Sequence, residues 1–151
     1  MTARLNLDVQ YAGSEGHPVP SEDEFHGWVN AALPEQGFFS LLVRVVTQEE
    51  SQSLNDQFRG KQRPTNVLSF PIHVQDETGA QYLGDVVICE KVVSDEAQAQ
   101  EKDPVAHWAH LTVHGVLHLL GFDHEIPEEA VKMENREVEI LAGLGYQDPY
   151  H

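Results

Sequence analysis

The chain has 151 residues, 40 % of them hydrophobic, which suits one globular domain with a core of its own. Nine Lys and Arg against 25 Asp and Glu leave a net charge of −16, which argues against a generic DNA binder. A small positive patch can still sit on an acidic body. One cysteine, Cys89, excludes a disulfide framework and every zinc site built from several thiolates.

In chain order, Leu5, Leu7, Val9 and Tyr11 alternate with polar residues and predict a half-buried strand, followed by loop through Pro20. Ser21 with Glu24 forms a capping-box pattern before Phe25, Trp28, Val29 and Ala32, and Pro34 stops that helix. Phe38 to Val46 is apolar and β-branched, as in a strand buried on both faces. Thr47 with Glu50 reads as a second capping box, opening a helix through Leu54 and Phe58 that ends near Gly60. Val67–Phe70 and Tyr82–Cys89 predict two further strands, joined by a loop containing Gly79. Ser94 opens a short alanine-rich helix. Asp103 and Pro104 are an N-cap and first-turn proline for a helix that runs to Leu120 and ends at Gly121. Pro127 opens a last helix through Val131, Val138 and Leu141, closing at Gly143 or Gly145. The order β α β α β β α α α predicts an α+β fold: a four-stranded mixed sheet with helices packed over it. No repeat or linker divides the chain, so residues 1–151 are expected to form a single domain. No signal peptide is recognisable, and no apolar run approaches the roughly 18 residues of a membrane span. The expectation is a soluble, cytoplasmic protein with no membrane contact.

Five of the nine histidines crowd into HWAHLTVHGVLHLLGFDH, residues 107–124. His114 and His118 are one helical turn apart and share a face. Gly121 permits a reversal that could carry His124 back to the same point. Three imidazoles with a fourth position open describe a catalytic zinc rather than a structural one, with one ion per chain. The spacing His-x3-His-x5-His matches the ligands of the metzincin proteases, but the position of their general-base glutamate is Gly115 here. Peptide hydrolysis by that mechanism is therefore disfavoured. A zinc deaminase needs more than one cysteine. His107 and His110 read more readily as packed residues, with His110 a candidate for the mouth of the site. Asp123 reads equally as a turn cap, a partner of a ligand imidazole or a helper base.

Arg59, Lys61 and Arg63 gather three of the nine basic residues in LNDQFRGKQRPTNVLSFP, residues 54–71. One reading is a phosphate site, because Arg grips phosphate oxygens in a two-pronged way. The other is favourable charge at a helix C-terminus, worth about 0.3–1 kcal/mol. Composition leaves the two open.

With both segments in view, the sequence resembles the YbeY family of bacterial metal-dependent endoribonucleases, also called ribosomal RNA maturation factors. The matching stretches are LNDQFRGKQRPTNVLSFP, LGDVVI at 83–88, and VHGVLHLLGFDH at 113–124 with the following Met133 and Glu134. They come in the family's order and at its spacing. Two positions depart: Asn66 stands where the family usually has aspartate, and Phe122 where tyrosine is usual. The resemblance implies that His114, His118 and His124 bind zinc and that Arg59 is the family's functionally important arginine. It also implies cleavage of single-stranded RNA, in small-subunit ribosomal RNA precursors, for 3′-end maturation and ribosome quality control. The implied partners are the small ribosomal subunit or its proteins, with no DNA specificity.

On this reading the metal assists phosphodiester hydrolysis, Arg59 stabilises charge building on phosphorus, and Lys61 and Arg63 hold flanking phosphates. Gly115 removes the obvious base, which leaves water activated by the metal itself, or Asp85 or Asp123. Two rivals stand beside it: a zinc-stabilised ribosome-assembly factor without catalysis, and a metzincin-like hydrolase of peptides or amides.

Overall fold

The computed structural model describes residues 4–13 and 15–150. Residues 1–3, 14 and 151 of the expected 1–151 unit lie outside the described residues. The predicted order of elements holds: β1 (Arg4–Ala12), α1 (Glu22–Ala32), β2 (Phe38–Val46), α2 (Gln48–Arg59), β3 (Val67–Gln75), β4 (Gln81–Cys89), α3 (Glu90–Ala99), α4 (Pro104–Leu119) and α5 (Pro127–Gly143).

Local chemistry sets most of these boundaries. Ser21 and Glu24 exchange both capping-box hydrogen bonds at the start of α1, and Leu33 turns extended before Pro34. At α2 only half of the expected box forms. Thr47 caps the Glu50 amide, but the Glu50 carboxylate instead grips Arg44 through two nitrogens at 2.6 and 2.9 Å. Helix α3 begins at Glu90 rather than at Ser94, directly after β4 and with no side-chain cap. Strand β3 runs past Phe70 to Gln75 across an irregularity between Pro71 and Val74, where His73 adopts a φ of 57°.

The sheet is mixed, as predicted, in the order β1-β2-β4-β3. β1 pairs with β2 and β2 with β4 in parallel, while β3 returns antiparallel to β4 as an edge strand. One face carries the main core, in which Val43, Val45, Val86 and Ile88 meet Phe25 and Val29 of α1 and Trp108, Val113 and Leu117 of α4. Phe25 stacks edge-on against both Trp28 and Trp108, at centroid distances of 5.7 and 6.0 Å. The other face is covered only over Val46, Leu68, Val87 and Cys89, where Leu54 of α2 and Val92 of α3 pack. Strand β2 is thus less enclosed than its apolar run suggests: Leu42 and Arg44 stay part-exposed. Cys89 is a fully buried free thiol. Among the described residues no helix is long and apolar enough to cross a membrane.

Candidate metal centre

Helix α4 is the spine of the site. Asp103 caps the Val105 amide and Pro104 occupies the first turn, so the helix starts at a fixed point. Its far end is fixed as firmly. Gly121, at φ 101°, donates to the His118 carbonyl while Phe122 donates to that of Leu117, the paired pattern of a left-handed helix stop. His73 on β3 satisfies one more terminal carbonyl, donating from Nε2 to Leu119 at 2.7 Å. This reversal aims the following turn back along the helix, and His124 comes beside His114 and His118.

The three rings stand at centroid distances of 4.6 Å (His114–His118), 4.9 Å (His118–His124) and 5.6 Å (His114–His124). One ring nitrogen from each lies within 4.8 Å of the others. The Nε2 atoms of His114 and His118 face each other at 3.1 Å. Two nitrogens on one tetrahedral ion at about 2.0–2.1 Å stand about 3.3 Å apart, so the pair is within a few tenths of an ångström of ligating distance. Burial, then the neighbouring His114 and His124, push His118 down to about 4, so that it presents a neutral lone pair. The donor set fits a divalent ion of the imidazole-binding class.

Arg59 closes α2, whose C-cap Gly60 sits at φ 68° in the left-handed region. The loop beyond it is tacked onto α2 by two buried polar side chains. Ser51 Oγ donates to the Thr65 carbonyl and accepts its amide, at 2.9 and 3.0 Å, and Asn55 Nδ2 donates to the Arg63 carbonyl at 2.9 Å. Arg59, Lys61 and Arg63 thereby line a cavity of about 740 Å³ together with His114, His118, Asp123 and His124. Arg44, Lys91 and Arg136 are neutralised by carboxylates, whereas among the described residues Arg59, Lys61 and Arg63 form no ion pair. All six predicted site residues meet at one cavity.

The remaining candidates divide. Asp85 does not line the cavity and instead accepts the Tyr82 hydroxyl, so it is no base for this site. Asp123 does line it, with Oδ1 taking the His124 amide at 2.7 Å. His107 is buried and pairs with Glu96 at 2.9 Å, and His110 turns toward Tyr150 and Glu137, away from the cavity mouth. Gly115, where the proteases carry their base, presses α4 onto the sheet, and the Ser69 hydroxyl donates to its carbonyl at 3.0 Å.

Sequence reasoning missed Glu137. It is fully buried on α5, and its Oε1 accepts from His114 Nδ1 at 2.7 Å. Burial would raise this carboxyl, but hydrogen bonds from His110, His114 and Tyr150 outweigh it and hold the group down at about 2. The readable sign was a glutamate within the apolar helical stripe of Met133, Ile140 and Leu141.

Residues 15–145 match the family model described as Endoribonuclease YbeY. Among solved structures, the solution structure of TM1509 from Thermotoga maritima is similar over 95 % of this chain and 98 % of that chain, with a TM-score of 0.54 and 24 % identity. That likeness speaks for the fold. The family match spans every residue that lines the cavity, in agreement with the motifs at 54–71 and 113–124. The chain belongs to the YbeY endoribonuclease family.

Proposed function

We propose that the chain, acting as a single domain, is a zinc-dependent endoribonuclease specific for single strands. Its substrate would be small-subunit ribosomal RNA precursor, in 3′-end maturation and ribosome quality control, at the small subunit in the cytoplasm. The observation that carries this reading is the convergence of three imidazoles and three unpaired cations on one cavity, in a chain of the endoribonuclease family.

His114, His118 and His124 would hold the ion. When bound, it supplies Lewis acidity toward a phosphoryl oxygen and makes water a better nucleophile near neutral pH. His118 contributes by staying neutral, since a protonated imidazole cannot ligate. Arg59, at the end of α2, faces the charge that builds on phosphorus, a contribution often worth about 3–4 kcal/mol. Lys61 and Arg63 follow it on the tacked-down loop and bind flanking phosphates. Asp123 and Glu125 flank His124 and both line the cavity; Asp123, whose Oδ1 accepts the His124 amide at 2.7 Å, is the candidate helper base.

The test compares wild type with His114→Ala for metal content and for cleavage of single-stranded and duplex RNA. The expected result is about one zinc per chain and cleavage of the single strand alone, both lost together in the variant. Zinc in the wild type with no cleavage under any salt or ribosomal-partner condition would favour the assembly-factor reading. Cleavage of a peptide library instead of RNA would favour the amide hydrolase.

A further inference from the structure

Beyond the three histidines, a second cluster of buried polar groups stands behind the site and is used by none of the steps above. Its centre is Glu137, fully buried on α5. A carboxylate there is tolerable only if its oxygens find donors. His114 Nδ1 reaches Oε1 at 2.7 Å, and the Tyr150 hydroxyl donates to Oε2 at 2.5 Å. His110 Nε2 lies 3.5 Å from Oε2 and 3.3 Å from the Tyr150 oxygen, and its ring meets the Tyr150 ring edge-on at 5.3 Å.

Tyr150 reaches this point because the chain doubles back. Gly145, at φ 92°, stops α5 with the same paired hydrogen bonds that end α4, Gly145 to Ala142 and Tyr146 to Leu141. The returning segment is fastened at Lys102, whose Nζ donates to the Pro149 carbonyl at 3.0 Å, and at Asp148, which accepts the Tyr150 amide. Tyr150 lies beyond residues 15–145, the extent of the family match.

We propose that Glu137 and Tyr150 are positioning residues for the metal site, an inference that rests on the reading of His114 as a ligand. Tyr150 fixes the rotamer of Glu137, and Glu137 accepts the Nδ1–H hydrogen bond of His114. The Nε2 lone pair of His114 then faces His118 and the cavity, in one tautomer and one ring orientation. His110, Tyr150 and His114 thus converge as donors on the Glu137 carboxylate, which ties the cluster to a ligand imidazole. A rival use of the same atoms is a second ion held by His110, His114 and Glu137, whose ligand atoms also approach within 4.8 Å. The geometry favours the hydrogen bond. The 2.7 Å separation of His114 Nδ1 and Glu137 Oε1 is that of a strong donor–acceptor pair and is shorter than two ligands of one ion adopt.

The experiment titrates Zn²⁺ into metal-free wild type, Glu137→Gln and Tyr150→Phe at one pH, against a chelating dye. The visible absorption of the Co²⁺ forms and the melting temperature of each metal-free protein are recorded beside it. Glu137→Gln should bind zinc about 10–100-fold more weakly, and Tyr150→Phe should be weakened in the same direction by a smaller factor. Both should show an altered cobalt band. A purely structural role would lower the melting temperature of the metal-free protein and leave zinc affinity and the cobalt band of the folded chain unchanged, which would overturn the proposal. So would two zinc ions per wild-type chain. If Glu137→Gln does not fold, Tyr150→Phe decides the question by itself. Wild type that binds no zinc would instead overturn the metal reading, and the positioning role with it.

Discussion

A Cβ at Gly115 would lie 2.6 Å from Val86 Cγ1, with Ser69 Oγ and Val67 Cγ2 each at 3.3 Å. Val86 is fully buried on β4, so its methyl has little room to retreat. Alanine in place of a helix-interior glycine gains about 1 kcal/mol of propensity, while overpacking a filled core costs about 1–3 kcal/mol. The clash should win. Gly115→Ala is expected to lower the unfolding free energy in urea by about 1 kcal/mol, and Val86→Ala on that background should return part of the loss. A Gly115→Ala protein as stable as wild type would mean that α4 can stand off from the sheet. The same contact explains why a protease-type glutamate has no place beside His114: its Cβ would point at the sheet. The three histidines were legible because their spacing and Gly121 are local facts of one helix and one turn. Glu137 needed a different clue, a charge inside an apolar stripe, and Tyr150 left no clue because only the doubled-back chain brings it to Glu137.

Three elements meet at Glu96 on α3. His107 Nε2 on α4 lies 2.9 Å from its Oε1, and Asn66 Nδ2, at the entry to β3, donates to the same oxygen at 3.1 Å. Burial would raise this carboxyl, but the hydrogen bonds from His107 and Asn66 hold it below the usual carboxylate range. A depressed folded value means that the ionised group stabilises the fold above the ordinary carboxylate pKa. That stability is lost as pH falls through the folded value. Asn66→Asp, which installs the residue usual in the family, replaces a donor with a second carboxylate facing Glu96. It is expected to cost about 1–3 kcal/mol at neutral pH. The penalty should shrink as the two groups protonate below about pH 4. Denaturation curves at both pH values check this, and a penalty independent of pH would assign the cost to something other than charge. Helix ends with chemical punctuation and strands with a clear apolar pattern were read correctly: the box at Ser21, the Asp103–Pro104 start and the Gly121 stop each satisfy backbone groups locally, and β2 falls at Phe38–Val46 as its apolar run predicts. Boundaries set by distant partners alone were not. The second half of β3 exists through its pairing with β4, and α3 follows a strand with no cap to announce it. Glu50 was diverted from its box because β2 brings Arg44 within reach.

The whole molecule carries −16, yet its three unpaired cations around the cavity share one loop and one helix end. At physiological ionic strength a charge is felt over about 8 Å, so RNA lying in the cavity meets Arg59, Lys61 and Arg63 beside two carboxylates, Asp123 and Glu125, whereas over the rest of the molecule carboxylates predominate. Affinity for a single strand should therefore depend on salt through these three contacts alone. Each phosphate neutralised on a single strand contributes about −0.7 to the slope of log affinity against log salt, so three give about −2.1. Raising salt from 50 to 200 mM should weaken binding roughly 18-fold in wild type and roughly sevenfold in Arg63→Ala. Lys91→Ala should leave the slope unchanged, because Lys91 already spends its charge on Asp95. Fluorescence anisotropy of a labelled single-stranded RNA across that salt range reads all three slopes. A slope that survives the loss of Arg63 would move the RNA path off the basic loop, and a slope near zero in wild type would remove phosphate recognition from this cavity.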